Sequence, residues 1–117
     1  MMGIAVDRTS ASILKINNAI LMFDQKEAAI PEETTCIRCA RCVMSCPMRL
    51  MPTALDSHSR EHDIDGLREY NVMDCIECGC CSYVCPAKRY LVQSIRNGKA
   101  AYRVALAAEK AKEAARK

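Results

Sequence analysis

Eight of the nine cysteines in this chain fall into two identical runs of the form C-x2-C-x2-C-x3-C-P. Cys36, Cys39, Cys42 and Cys46 precede Pro47, and Cys75, Cys78, Cys81 and Cys85 precede Pro86. Every member of the second run stands 39 positions after its counterpart, and Ile37 and Ile76 keep the same register. A register shared by so many residues marks a duplicated unit. Whatever the chain folds into must therefore present two equivalent sets of thiols.

The spacing points to a particular chemistry. A cubane [4Fe–4S] cluster holds four irons at the corners of a tetrahedron, and each iron needs one thiolate. Two residues between ligands is about the shortest step that lets a loop wrap one face of the cubane, so three cysteines of a run can take three irons. The x3 step carries the fourth cysteine away from that face, and in two-cluster proteins it ligates the other cluster. The expected ligand sets are thus Cys36, Cys39, Cys42 and Cys85 for one [4Fe–4S] cluster, and Cys75, Cys78, Cys81 and Cys46 for the second. Pro47 and Pro86 turn the chain and help to keep the last thiolate of each run from water. Structural zinc also takes four thiolates, but it draws them from separated pairs and needs neither the third cysteine nor the Cys-Pro step. Cys80 is surplus: its counterpart is Arg41, which is no ligand, and it reads as a small packed thiol. Gly79 would let backbone approach the cluster and donate N–H···S bonds that tune its potential, and Ala40 fills that place in the first run.

Composition agrees with a metal-dependent fold. The chain has 117 residues with one Phe, four Tyr and no Trp, so its core is thin. Chains of this size often need a metal or crosslink to hold together. An odd cysteine count argues against a closed disulfide framework. Nothing at the N-terminus resembles a signal peptide, and no apolar run approaches the roughly 20 residues that cross a bilayer. A reducing compartment is expected, with thiols free for metal. The net charge of +3 hides a division: residues 1–87 carry 8 Lys/Arg against 12 Asp/Glu, whereas residues 88–117 carry 9 against 2.

Along the chain, residues 1–30 lack cysteine, and 12–16 and 19–23 read as two short strands about the turn Asn17-Asn18. A lone hairpin is marginal in water, so this segment either packs against the cluster domain or, the preferred reading, pairs with an upstream domain whose end it forms. Residues 31–89 form the two-cluster domain, entered through the linker 31–35. Between the runs no strand alternation is visible. Pro52 suits the first turn of a helix to about His62, and Asp63 or Asp65 can cap a second to about Val72, with Ile64, Leu67 and Val72 inward. Residues 90–117 read as a basic helix with Leu91, Ile95, Tyr102 and Leu106 on one face, which Asn97-Gly98 could kink or divide. The fold class expected is mainly α, an α-helical ferredoxin-like domain with a short hairpin-like N-terminal segment. His58 and His62 are four apart, but their polar neighbours make a solvated helix face rather than a metal site. Apart from Tyr90 and Tyr102 the basic tail lacks interleaved aromatics, so no nucleic acid is expected; an acidic redox partner, an anionic membrane surface or simply a frayed, solvated helix end suits it better.

The residues around the cysteines resemble a known family. Cys36-Ile-Arg-Cys-Ala-Arg-Cys-Val-Met-Ser-Cys-Pro-Met-Arg-Leu-Met-Pro52 and Asp74-Cys-Ile-Glu-Cys-Gly-Cys-Cys-Ser-Tyr-Val-Cys-Pro86 are similar to the cluster runs of the C subunit of the Rnf electron-transport complex. The linker from Glu61 to Asn71 resembles that family's helical insert, and the likeness extends to about Arg103. Arg89 and Tyr90 depart from it, standing where the family more often has an apolar residue and proline. The resemblance implies an electron-transfer part of an ion-translocating ferredoxin:NAD oxidoreductase, peripheral on the cytoplasmic side of the membrane. Its implied partners are the other subunits, an upstream NADH- and flavin-handling part of the same subunit, and ferredoxin. No catalytic residue and no NAD or flavin residue is expected in this chain. A free-standing ferredoxin-like carrier, or the iron–sulfur subunit of another dehydrogenase or reductase, is the first alternative, and a zinc-stabilised interaction module with a basic helical tail is the second.

Overall fold

The two helices between the cysteine runs begin where the sequence offers a reason to. In the computed structural model, which describes residues 6, 8–15 and 17–115, the order is α1 (Arg41–Met44), α2 (Pro52–Glu61), α3 (Ile64–Glu69), a 3₁₀ turn (Val72–Asp74), α4 (Cys80–Tyr83) and α5 (Leu91–Ala115). Pro52 occupies the first turn of α2, where its missing N–H costs nothing. The helix stops at His62, which turns left-handed (φ 56°) and donates its N–H to the His58 carbonyl. Asp63 follows at once as the cap of α3, its carboxylate accepting from the Gly66 N–H at 3.1 Å.

The apolar residues expected to face inward do so. Leu55 of α2, Leu67 of α3, Val72 of the 3₁₀ turn, and Ile95 and Tyr102 of α5 form one buried cluster, flanked by Leu50, Ile64, Tyr70 and Leu106. Burying each of the four aliphatic side chains contributes roughly 1.5–3 kcal/mol. The long helix α5 is the spine against which α2 and α3 pack, and it continues unbroken through Asn97-Gly98. Gly98 marks a close crossing rather than a kink: a Cβ there would collide with the Ser59 hydroxyl of α2 and crowd Leu67 of α3.

The hairpin-like N-terminal segment is corrected. No strand is present among the described residues, and the mainly helical class stands without it. The Asn17 side chain accepts the Leu14 N–H at 2.6 Å while the Asn17 N–H donates to the Leu14 carbonyl at 3.0 Å. These bonds turn the chain locally at 14–17, and 12–15 and 19–23 do not pair. Ile16, part of the expected first strand, lies outside the described residues. With Ile13, Leu14, Ile20, Leu21 and Phe23 all exposed, no third element among the described residues covers a ribbon here, and a two-stranded ribbon alone is marginal.

Candidate metal centres

The duplication reaches into the backbone. Left-handed conformations occur at Arg38 and Glu77 (φ 54° and 57°), Ala40 and Gly79 (59° and 88°), and Arg49 and Lys88 (54° and 52°), each pair 39 residues apart. Five of these six are not glycine, and holding such a residue left-handed costs about 1–2 kcal/mol. Left-handed residues beside right-handed ones turn successive N–H groups into a shared concavity, the nest that anions and iron–sulfur groups occupy. The pattern winds each C-x2-C-x2-C loop around a hollow.

From each loop a single helical turn follows. Ala40 starts α1 and Gly79 starts α4, which place the third cysteines, Cys42 and Cys81, in the interior. Both turns end before the fourth cysteine, and Arg49 and Lys88 then close tight turns back onto the carbonyls of Cys46 and Cys85. The Cys46 sulfur accepts the Leu50 N–H at 3.4 Å. Cys42, Cys81 and Leu91 share one apolar cluster, so the two hollows lie back to back.

Two cavities result, and each gathers cysteines from both runs. One, of about 370 Å³ out to its open mouth, is lined by Cys46 from the first run and Cys75, Cys78 and Cys81 from the second, with Leu55 and Ile95 in its wall. The other, of about 350 Å³, is lined by Cys36, Cys39 and Cys42 from the first run and Cys85 from the second, with Leu91 and Arg89 beside them. Thr34 links the two runs at the second cavity, giving its N–H to the Ala87 carbonyl at 3.0 Å. Four thiols, largely apolar walls and inward N–H donors make up the donor set a [4Fe–4S] cluster takes. Among the described residues no three His, Cys, Asp or Glu side chains converge on a single-ion site.

The thiols differ in their surroundings. Burial pushes Cys81 up to about 11 and raises Cys42 as well, so metal uptake at these thiols would release protons. The backbone N–H of Cys80 holds Cys78 below its usual value. Cys80 itself is exposed, and the neighbouring Cys78 thiol raises it. The ninth cysteine thus lines neither cavity, and it is a solvent-exposed thiol rather than the packed one expected from the sequence.

Two charge networks brace the site, and the cysteine pattern signals neither. Asp56, 3% exposed on α2, accepts from Arg60 at 2.8 Å and Arg89 at 2.6 Å, and Glu33 meets both arginines from the entry segment. Burial alone would raise the Asp56 carboxyl, but hydrogen bonds from Arg60, Arg89 and Ser94 prevail and hold it below the usual carboxylate range. Tyr90 adds a hydrogen bond from its hydroxyl to the Pro31 carbonyl. Arg89 and Tyr90 thus fasten the entry of the first run to the start of α5. On the other side, Lys99 of α5 reaches the Cys75 carbonyl at 2.8 Å and Glu77 at 2.9 Å, and Arg96 reaches Glu77 at 2.8 Å. An acidic residue inside a cysteine loop, with basic residues one helical turn apart downstream, is the signal that could have revealed this pairing. His58 serves α3 instead of a metal: it bonds Asp63 at 2.9 Å and stacks on Tyr70, while His62 is exposed at the helix end.

A mainly helical domain whose duplicated cysteine loops enclose two four-thiol cavities defines an iron–sulfur protein of the ferredoxin type. The chain belongs to the 4Fe-4S dicluster domain family, which it matches over residues 28–86. Its relatives extend the likeness beyond that domain. It is 44% identical over 99 residues to the C subunit of the ion-translocating oxidoreductase complex of Methanosarcina acetivorans, covering 85% of this chain and 22% of that protein. It is 43% identical over 114 residues to the C subunit of the proton-translocating ferredoxin:NAD(+) oxidoreductase complex of Clostridium ljungdahlii, covering 96% and 25%. With the C subunit of the Na(+)-translocating ferredoxin:NAD(+) oxidoreductase complex of Acetobacterium woodii the figures are 42% over 99 residues, 85% and 22%. The resemblance to C subunits is therefore borne out, and the chain spans about a quarter or less of the length of these relatives.

Proposed function

We propose that this chain is a two-cluster electron relay within the C subunit of an ion-translocating ferredoxin:NAD oxidoreductase complex. The observation that carries the proposal is the pair of back-to-back cavities, each lined by three cysteines of one run and the fourth of the other. Cys36, Cys39, Cys42 and Cys85 would hold one cluster, and Cys75, Cys78, Cys81 and Cys46 the second. A bound [4Fe–4S] cluster supplies one-electron redox chemistry. The protein's own part is to direct N–H groups at the sulfurs, to keep water out with Leu55, Leu91 and Ile95, and to hold the two sites side by side.

The remaining expectations form one scheme with this. Residues 31–89 are the ferredoxin-like domain and 90–117 its basic helix, whose first half also completes the core. Residues 1–30 close an upstream domain that handles nicotinamide and flavin, a reading supported by their exposed apolar side chains. The subunit sits peripherally on the cytoplasmic face of the membrane beside its partner subunits, with ferredoxin as a redox partner. No helix among the described residues is long and apolar enough to cross a membrane.

Anaerobic reconstitution followed by metal and sulfide analysis tests the relay. About eight irons and eight sulfides per chain are expected for two [4Fe–4S] clusters. Uptake of about two zinc ions with no sulfide would overturn it.

A further inference from the structure

The two cavities are built from one repeated unit, yet the charges around them are not repeated. Beside the cavity of Cys36, Cys39, Cys42 and Cys85 lies Arg89, which shares a network with Arg60, Asp56 and Glu33. Two cations face two carboxylates there, and the charges cancel. Beside the cavity of Cys46, Cys75, Cys78 and Cys81 lies Glu77, held by both Arg96 and Lys99. Two cations face one carboxylate, leaving one positive charge over. Lys99 is only 6% exposed, and its ammonium also bonds the carbonyl of Cys75 at 2.8 Å. The counterpart of Glu77 in the first run is Arg38, which is exposed and makes no ion pair among the described residues, so water screens it.

We propose that Lys99 is a positioning residue that makes the cluster at Cys46, Cys75, Cys78 and Cys81 the more easily reduced of the two. This deepens the relay reading and rests on it. One-electron reduction by a low-potential donor adds one negative charge to a four-thiolate site, and no bond is made or broken. A buried ammonium at the Cys75 carbonyl favours that added charge, because the interior screens it far less than water does. Polarising the Cys75 peptide strengthens the same bias by making its neighbouring N–H groups better donors to sulfur. The structure thereby separates two otherwise twinned sites into one where the electron rests and one that it crosses.

The test is a reductive titration of the reconstituted full chain with dithionite and mediators, followed by EPR. Lys99→Met should make the first of the two reduction steps harder by on the order of tenfold, about 59 mV for a one-electron couple, and leave the second in place. Lys99→Arg, which keeps the charge, should restore the first step. Glu77→Gln removes the compensating carboxylate and should move the same step in the opposite direction, toward easier reduction. Loss of packing alone cannot produce opposite shifts at one cluster from two contacting residues. A first step that is unchanged in Lys99→Met, an equal shift of both steps, or a harder first step in Glu77→Gln overturns the proposal. If Lys99→Met does not take up two clusters, Glu77→Gln decides alone, an easier first step supporting the proposal and any other result overturning it. An unsubstituted chain that binds fewer than two clusters overturns the relay reading, and this inference with it. Two intact clusters indifferent to these substitutions overturn the inference alone.

Discussion

Asp56 is a carboxylate almost without water, kept charged by two guanidinium groups. Removing the charge of such a partner strands the cations around it, a change that costs about 3–5 kcal/mol in fully buried settings. Here Arg60 and Arg89 are partly solvated, so Asp56→Asn should cost about 2–4 kcal/mol in urea unfolding of the anaerobic holoprotein. The folded carboxyl titrates below its unfolded value of 3.8, so its contribution is complete above that pH and is lost as pH falls further. The penalty of the substitution should therefore stay constant from about pH 8 to pH 5. A penalty that shrinks across that window would contradict the lowered pKa. Asp56 is not legible in sequence, because a polar residue beside Leu55 on an amphipathic helix looks like a solvated position. Its burial depends on Glu33 and Arg89, 23 and 33 residues away in sequence. The eight cysteines lining the cavities are legible, because their type and spacing follow the pattern that cluster binding requires. The left-handed turns at Arg38, Glu77, Arg49 and Lys88 are not, since long charged side chains carry no signal for positive φ.

The crossing of α2 and α5 shows how far a single element can be read. Pro52 and Asp63 announce the helix starts, and the spacing of Leu91, Ile95 and Tyr102 announces the buried face of α5. Gly98 reads as a break because glycine weakens helices by about 1 kcal/mol, and only the partner helix shows why it is there. Ser59 packs against it, and its buried hydroxyl has no hydrogen-bond partner among the described residues. Gly98→Ala should therefore destabilise the protein by about 1–2 kcal/mol, the overpacking strain outweighing the gain in helix propensity. In a Ser59→Ala background the same change should cost less, since the hydroxyl that the new methyl would strike is gone. Thermal unfolding of the four proteins of this cycle measures the coupling, and strictly additive effects would show that the two residues do not press on each other. The short strands expected near the N-terminus fail for a related reason. Alternation and a turn pair describe what a strand would look like, but a strand needs a neighbour to bond, and the described residues contain none.

At the scale of the whole molecule the two runs behave as one unit, because each cavity is completed by the other run. Cys46→Ser should leave the cluster of the first run in place and damage the one at Cys75, Cys78 and Cys81. The reconstituted variant should show loss of one EPR signal, or conversion of one cluster to a three-iron form. Loss confined to the other signal would show that the runs do not exchange ligands. The same exchange has a consequence for the order of assembly. As the chain leaves the ribosome, the hollow begun at Cys36 has three thiols by Cys42 but must wait for Cys85. The set of four thiols that borrows Cys46 is complete earlier, at Cys81. With the proposed ligand sets, the site started first is finished last, so neither would be filled from a half-made chain, and an iron donor would meet both only when the second repeat has been synthesised.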